Sequence, residues 1–157
     1  TSTMAIVYLS LGSNRGDRAA LLEEAYAQIE TTIGSITARS PVFETAPWGF
    51  DSPHMFLNAC AAVETTMSPS DCLVHINRIE KRLGRTRTAK SGYSDRTMDI
   101  DILFYDNLIC ETADLVIPHP HLHERLFVLE PLVTIAPDLK HPVLHQTMSN
   151  LLKALNE

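Results

Sequence analysis

An α+β fold, an antiparallel sheet with helices packed on it, is predicted by three observations. Short apolar or β-branched runs recur at 4–11, 36–45, 55–66 and 96–105. Two segments with helical spacing of apolar residues, 17–33 and 68–84, separate the first run from the second and the third from the fourth. The second and third runs are joined without a helix. The resulting order, β-α-β-β-α-β with additions at the C-terminal end, is the ferredoxin-like arrangement; by itself it says nothing about activity.

In chain order, Met4 to Leu11 reads as a strand that ends in the turn cluster Gly12-Ser13-Asn14-Arg15-Gly16. Leu21/Leu22, Ala25/Tyr26, Ile29 and Ile33 then have helical spacing, with Asp17 placed as N-cap and Gly34 just past the end. Ile36 to Thr45, interrupted by Pro41, is read as a strand that carries an irregularity or lies at an edge. Ala46 to His54, with Pro47, Gly49, Pro53 and the single tryptophan, Trp48, reads as a long loop. From Met55 to Thr66 the residues alternate, Leu57, Ala59, Ala61 and Val63 on one face and Phe56, Asn58, Cys60 and Ala62 on the other, as in a central strand. Asn58 is the polar exception there and needs hydrogen-bond partners. Ser68-Pro69-Ser70-Asp71 combines a cap, a proline at the first helical position and an acid three residues on, opening a helix that Gly84 closes. Arg85 to Asp95, basic and poor in apolar residues, is expected to be a mobile loop. Beyond the fourth run, Asp106-Asn107 marks a turn, Leu108–Cys110 and Leu115–Ile117 short strands, and Leu122 to Leu129 a helix broken near Pro131. Thr147 caps a final helix with Leu151, Leu152 and Leu155 inward.

At 157 residues, 45% hydrophobic and 20% charged, the chain fits a single domain spanning 1–157. Thr1-Ser2-Thr3 ahead of Met4 reads as a remnant of cloning, with Met4 as the expected natural start. No apolar run approaches the roughly 18 residues of a membrane span. Cys60, Cys72 and Cys110, odd in number and set in apolar patterns, are read as reduced, buried thiols of a cytoplasmic protein. The net charge of −6 argues against nucleic-acid binding, yet seven of the thirteen basic residues crowd between Arg78 and Arg96, a span of net +5. A local cationic stretch on an acidic protein suits a polyphosphate ligand; a solvated helix end is the plainer alternative.

That stretch leads into Arg96-Thr97-Met98-Asp99-Ile100-Asp101-Ile102-Leu103-Phe104-Tyr105. Alternation places Met98, Ile100, Ile102 and Phe104 on one side and Asp99 and Asp101 together on the other. Two carboxylates side by side repel unless a cation lies between them, and all-oxygen ligation with open positions suits Mg²⁺ carrying substrate phosphates better than zinc. A strand whose acids merely face solvent is the alternative.

The chain resembles the 6-hydroxymethyl-7,8-dihydropterin pyrophosphokinases of folate biosynthesis. The resemblance runs through Leu9-Ser10-Leu11-Gly12-Ser13-Asn14, Glu44-Thr45-Ala46-Pro47-Trp48-Gly49, Phe56-Leu57-Asn58-Ala59, Arg78-Ile79-Glu80 with Gly84-Arg85-Thr86-Arg87, the Asp-x-Asp strand, Val116-Ile117-Pro118-His119 and Arg125-Leu126-Phe127. It implies a Mg-dependent 2-amino-4-hydroxy-6-hydroxymethyldihydropteridine diphosphokinase that moves pyrophosphate from ATP to the pterin alcohol and releases AMP. Two magnesium ions are implied at Asp99 and Asp101. Asn77, Glu80, Arg85, Arg87, Arg96, Ile102, His119 and Arg125 fall at ATP-binding positions, with Arg85 and Arg96 also catalytic. Thr45, Trp48, Phe56, Asn58 and Phe127 fall where the pterin is held, the aromatic rings stacking on the bicycle and the Asn amide reading its edge. ATP and the pterin are the expected partners of a monomer, with no nucleic acid and no membrane. The chain departs from the family in the run Gly92-Tyr93-Ser94-Asp95, where a basic residue, an aromatic, then Gly or Ala and often Pro usually precede the arginine, and at Pro120, where an aromatic usually follows the histidine. A polymerase-β-type nucleotidyltransferase also joins a Gly-Ser turn to an Asp-x-Asp strand, but within about a dozen residues, whereas Gly12-Ser13 and Asp99 are more than eighty apart. A noncatalytic ligand-binding module of the same fold is the remaining alternative.

Overall fold

The structure is a computed structural model, and residues 4–46, 55–84 and 98–157 are described. The loop expected at 85–95 and most of that at 46–54 therefore lie outside the described residues. The strands are β1 (Ala5–Ser13), β2 (Ser35–Arg39), β3 (Phe43–Thr45), β4 (Phe56–Thr65) and β5 (Asp99–Tyr105), with a two-stranded ribbon of β6 (Cys110–Glu111) and β7 (Val116–Ile117). The helices are α1 (Arg18–Thr32), α2 (Pro69–Arg82), α3 (Leu126–Ile135) and α4 (Met148–Leu155). The main sheet runs β2-β4-β1-β5 with every neighbour antiparallel, and β3 extends it beside β4, giving the expected ferredoxin-like core.

The run 36–45 is two strands, not one. Ser40 keeps the junction on β4: its N–H donates to the Cys60 carbonyl at 2.9 Å and its hydroxyl accepts from the Cys60 N–H at 2.9 Å. Pro41 then has no N–H to continue the ladder, and pairing resumes only at Phe43.

The sheet buries both faces. Val7, Leu9, Leu11, Ala59, Ala61, Val63, Met98, Ile100 and Ile102 join Leu22, Ile29, Ile76 and Ile79 of α1 and α2 in the larger core. On the other face Cys60, Leu103 and Phe104 meet Val128, Leu129, Leu132 and Met148 from α3 and α4. Phe104 thus lies opposite to the side expected from strict alternation. The register of β1 on β5 slips between Tyr8 and Leu9, so Tyr8 faces Phe104 while Leu9 faces Ile102; the extra residue, Leu103, makes a β-bulge that reverses the parity of all that follows.

The caps read from the sequence are formed. Asp17 accepts from the Ala20 N–H, Ser68 from Asp71 and Thr147 from Asn150. Gly84, at φ 91°, closes α2 in the left-handed region. Gly34 serves differently: a Cβ there would sit 2.0 Å from the Glu64 carbonyl oxygen, so glycine allows the chain leaving α1 to pass against β4. Nor does Pro131 break its helix. It lies inside α3, forfeiting one backbone bond, while Val128, Leu129 and Leu132 stay buried on either side. Packing of that face outweighs the lost bond.

Candidate active site

The sheet register gathers the polar residues. Gly12 of β1 pairs with Asn58 of β4 on one side and with Asp99 of β5 on the other; one step along, Ser10 lies between Cys60 and Asp101. Residues directly opposite in an antiparallel ladder share a face. Asn58, Asp99 and Asp101 therefore stand on the α3 side of the sheet, in two adjacent rows. Gly12 leaves a gap in its row: an added Cβ would lie 3.2 Å from the Asn58 side-chain oxygen and 3.6 Å from the Phe56 ring. By residue type Gly12 reads only as part of a turn; the register shows that it separates an amide from a carboxylate.

Thr45 pairs with Phe56, and Phe43 with Asn58, which puts Thr45, Phe56 and Asn58 on one surface. The Asn58 side chain is 4% exposed, and its amide N–H donates to the Thr45 hydroxyl at 2.5 Å. That bond fixes the amide with its oxygen against Gly12. α3 presses onto β4 here, the Cys60 thiol meeting the Val128 carbonyl at 3.6 Å, and α3 also touches β3. Phe127, half-buried in the first turn of α3, and buried Arg125 just before it stand at this end of the face, with the guanidinium 5.5 Å from the Phe127 ring centre.

His119 adjoins the Asp pair. Its backbone N–H donates to the Leu103 carbonyl at 3.0 Å, and its Nε2 lies 4.0 Å from an Asp101 carboxylate oxygen. The His121 N–H donates to His119 Nδ1 at 3.1 Å, which leaves the ring proton on Nε2, the atom facing Asp101. Burial first, then the nearby Arg125 and His121, lower the His119 pKa to about 4. At neutral pH this ring is an uncharged hydrogen-bond donor, not a cation.

Glu80 and Ile102 are placed differently from the rest. Glu80 is 3% exposed on α2, and its carboxylate accepts from the Ile100 N–H at 2.8 Å, tying the helix to the Asp strand. The Ile102 side chain belongs to the core under α1 and α2, on the face away from Asp99 and Asp101. Asn77 is exposed on α2. Trp48, Arg85, Arg87 and Arg96 lie outside the described residues.

Asp101 is about one-third exposed. Among the described residues no group of three or more His, Cys, Asp or Glu could hold a metal ion. Two neighbouring carboxylates supply oxygen ligands of the kind Mg²⁺ takes, an ion that keeps positions open for water and phosphate. All three cysteines are free, Cys60 and Cys72 buried and Cys110 half-buried. Burial pushes the Cys72 thiol up to about 11, so it is inert at neutral pH. No helix among the described residues is long and apolar enough to cross a membrane.

Fold and site together define a ferredoxin-like α+β domain whose sheet carries Asn58, Asp99 and Asp101 on its α3-facing side. Residues 8–137 match the family model of 7,8-dihydro-6-hydroxymethylpterin-pyrophosphokinase, and the chain belongs to that family, whose transfer of pyrophosphate to a pterin serves folate biosynthesis. It is 47% identical over 141 residues to the 2-amino-4-hydroxy-6-hydroxymethyldihydropteridine pyrophosphokinase of Porphyromonas gingivalis, covering 88% of this chain and 95% of that protein. The Bacillus subtilis enzyme of the same name is 39% identical over 136 residues, covering 86% of this chain and 80% of that one. Among solved structures, wild-type Plasmodium falciparum HPPK-DHPS with pteroate superposes with a TM-score of 0.81 at 18% identity; the match covers 98% of this chain but only 45% of that longer one. That likeness concerns the fold.

Proposed function

We propose that the α3-facing side of the sheet is where ATP and 6-hydroxymethyl-7,8-dihydropterin meet, with the pterin over β4 and the phosphates over β5. The observation that supports this most is the row Asn58, Gly12, Asp99. Two inter-strand spacings separate its ends by roughly 10 Å, about the length of a bicyclic pterin with its hydroxymethyl arm. Asn58 offers a donor and an acceptor side by side, complementary to the amide-like edge of the pterin, while Phe56 and Phe127 supply ring faces for its flat sides. Thr45 adds a hydroxyl at the same edge, and Trp48 completes the set by resemblance.

Asp99 and Asp101 would hold two Mg²⁺ ions, which when bound neutralise the phosphates and lower the pKa of the attacking alcohol. His119 donates its Nε2 proton towards the phosphates, and Arg125 carries charge to the same rim. Arg85, Arg87 and Arg96 would contact the triphosphate, with Arg85 and Arg96 steadying the leaving AMP. Asn77 and Glu80 border the nucleotide from α2, Glu80 chiefly by anchoring β5. Since the Ile102 side chain is buried, its adenine contact falls to the main chain on the outer edge of β5. The pterin oxygen attacks the β-phosphorus in line, a step that depends on position and field, so no side-chain base is assigned.

The test measures AMP released from ATP plus pterin, with Mg²⁺ supplied or chelated, in the wild type and in Asp99→Asn and Asp101→Asn. Each variant is expected to lose at least about 100-fold in rate, the several kcal/mol carried by a metal ligand, while melting as the wild type does. A rate within a few-fold of wild type, or undiminished by chelation, rejects the metal assignment.

A further inference from the structure

Arg18, the first residue of α1, touches neither the Asp pair nor the face on which the pterin is placed. Its guanidinium nonetheless spans the two strands that carry the pterin residues. One nitrogen, Nη1, donates to the Met55 carbonyl at 2.8 Å, and the other, Nη2, lies 3.1 Å from the Glu44 carboxylate. Met55 immediately precedes Phe56, and Glu44 immediately precedes Thr45. Alternation turns the Glu44 side chain towards α1 and the Thr45 side chain towards Asn58 on the opposite face, so the strand is gripped from below at the residue beside the one it presents above.

The grip matters because of how β3 is held. It is only three residues long and, among the described residues, pairs with β4 alone. A strand so short has few bonds to set its position, yet the Thr45 hydroxyl must stay beside the Asn58 amide for either to meet the ligand. Arginine suits this position because the planar fork of a guanidinium can bond a carboxylate and a carbonyl in one geometry, and the cap at Asp17 fixes the helix end from which it reaches.

We propose that Arg18 is a positioning residue for the pterin site, holding the ends of β3 and β4 so that Thr45, Phe56 and Asn58 are pre-arranged before the ligand arrives. The inference rests on the pterin pocket proposed above. Both Arg18 and Glu44 are partly exposed, and an ion pair of that kind contributes little to global stability. The effect should therefore appear in ligand affinity, through the ordering that binding must otherwise supply, and hardly in melting.

Titration of the full chain with 6-hydroxymethylpterin in the presence of a nonhydrolysable ATP analogue, and with the analogue alone, tests this in Arg18→Ala, Arg18→Lys and Glu44→Gln. Arg18→Ala is expected to weaken pterin binding about five- to tenfold, with the rate at saturating pterin, the affinity for the analogue and the melting temperature nearly unchanged. Arg18→Lys should recover part of the loss, since an ammonium can serve one partner but lacks the fork that serves both. Unchanged pterin affinity in Arg18→Ala overturns the clamp, as does an equal loss for both ligands accompanied by a lower melting temperature. A wild-type chain that does not bind the pterin would sink the pocket itself, an outcome distinct from wild-type binding that Arg18→Ala leaves intact.

Discussion

Asn58→Ala separates the pterin half of the site from the nucleotide half. In the folded chain Asn58 is 4% exposed and bonded to the Thr45 hydroxyl at 2.5 Å, with its oxygen lying against Gly12. Truncation removes that one internal bond, worth about 0.5–1.5 kcal/mol. Thr45 is half-buried, so water can reach its freed hydroxyl and the cost to stability falls at the lower end. The ligand fares worse. Its donor and acceptor are buried on binding with nothing opposite, a penalty of about 1–3 kcal/mol, or roughly 5- to 150-fold in Kd. Asp99, Asp101 and His119 lie across Gly12 or beyond, so affinity for ATP should change less than about twofold, as expected of groups that share no partner. Calorimetric titration with pterin and with a nonhydrolysable ATP analogue, alongside thermal melting, gives the three quantities. An equal loss for both ligands, or a pterin loss below about twofold, would refute the assignment and make Asn58 a structural amide.

Two further expectations concern the frame of the site. His141 is buried against Phe104, with ring centres 5.6 Å apart, and its Nδ1 accepts from the Val143 and Leu144 N–H groups at 3.1 and 3.0 Å, which requires the neutral ring. Burial, then His123 and His145, lower its pKa below the usual 6.5. As pH falls through about 6.5 the unfolded chain takes up this proton first, so the His141 contribution, complete above that value, is lost on acidification. Denaturant unfolding of wild type and His141→Asn at a series of pH values should show the difference between them shrinking as pH drops below about 6.5; a constant difference would contradict the neutral-ring reading. Gly34→Ala forces a Cβ to within 2.0 Å of the Glu64 carbonyl oxygen, a backbone atom of the central strand β4. Displacing that strand should cost about 2–3 kcal/mol, a fall of roughly 5–10 °C in Tm, and an unaltered Tm would show that the chain after α1 can move aside.

Local chemistry was legible wherever it acts within a few residues. Asp17, Ser68 with Pro69, and Thr147 announce helix starts because a cap bonds to an N–H three positions on, and the alternation of Met55 to Thr66 announces a central strand because pleating has a period of two. Where a local rule was overruled, the cause was a neighbour distant in sequence. The bulge at Leu103 arises in pairing with Tyr8 and Leu9, and it alone moved Phe104 to the α3 face. Packing on β4 carried α3 through Pro131, and the proximity of Glu64 gave Gly34 a reason other than its dihedral angle. Residues Asp99 and Asp101, Asn58 and Thr45 stand out in the sequence by residue type, pattern or resemblance. That an amide, a glycine and a carboxylate from positions 58, 12 and 99 form one row, and that Arg18 bridges Glu44 and Met55 at the ends of β3 and β4, was decided by the tertiary structure alone. Periodicity orders side chains along a strand, but which residues lie opposite one another is set by register, and register is fixed by the simultaneous burial of two faces against helices from both ends of the chain.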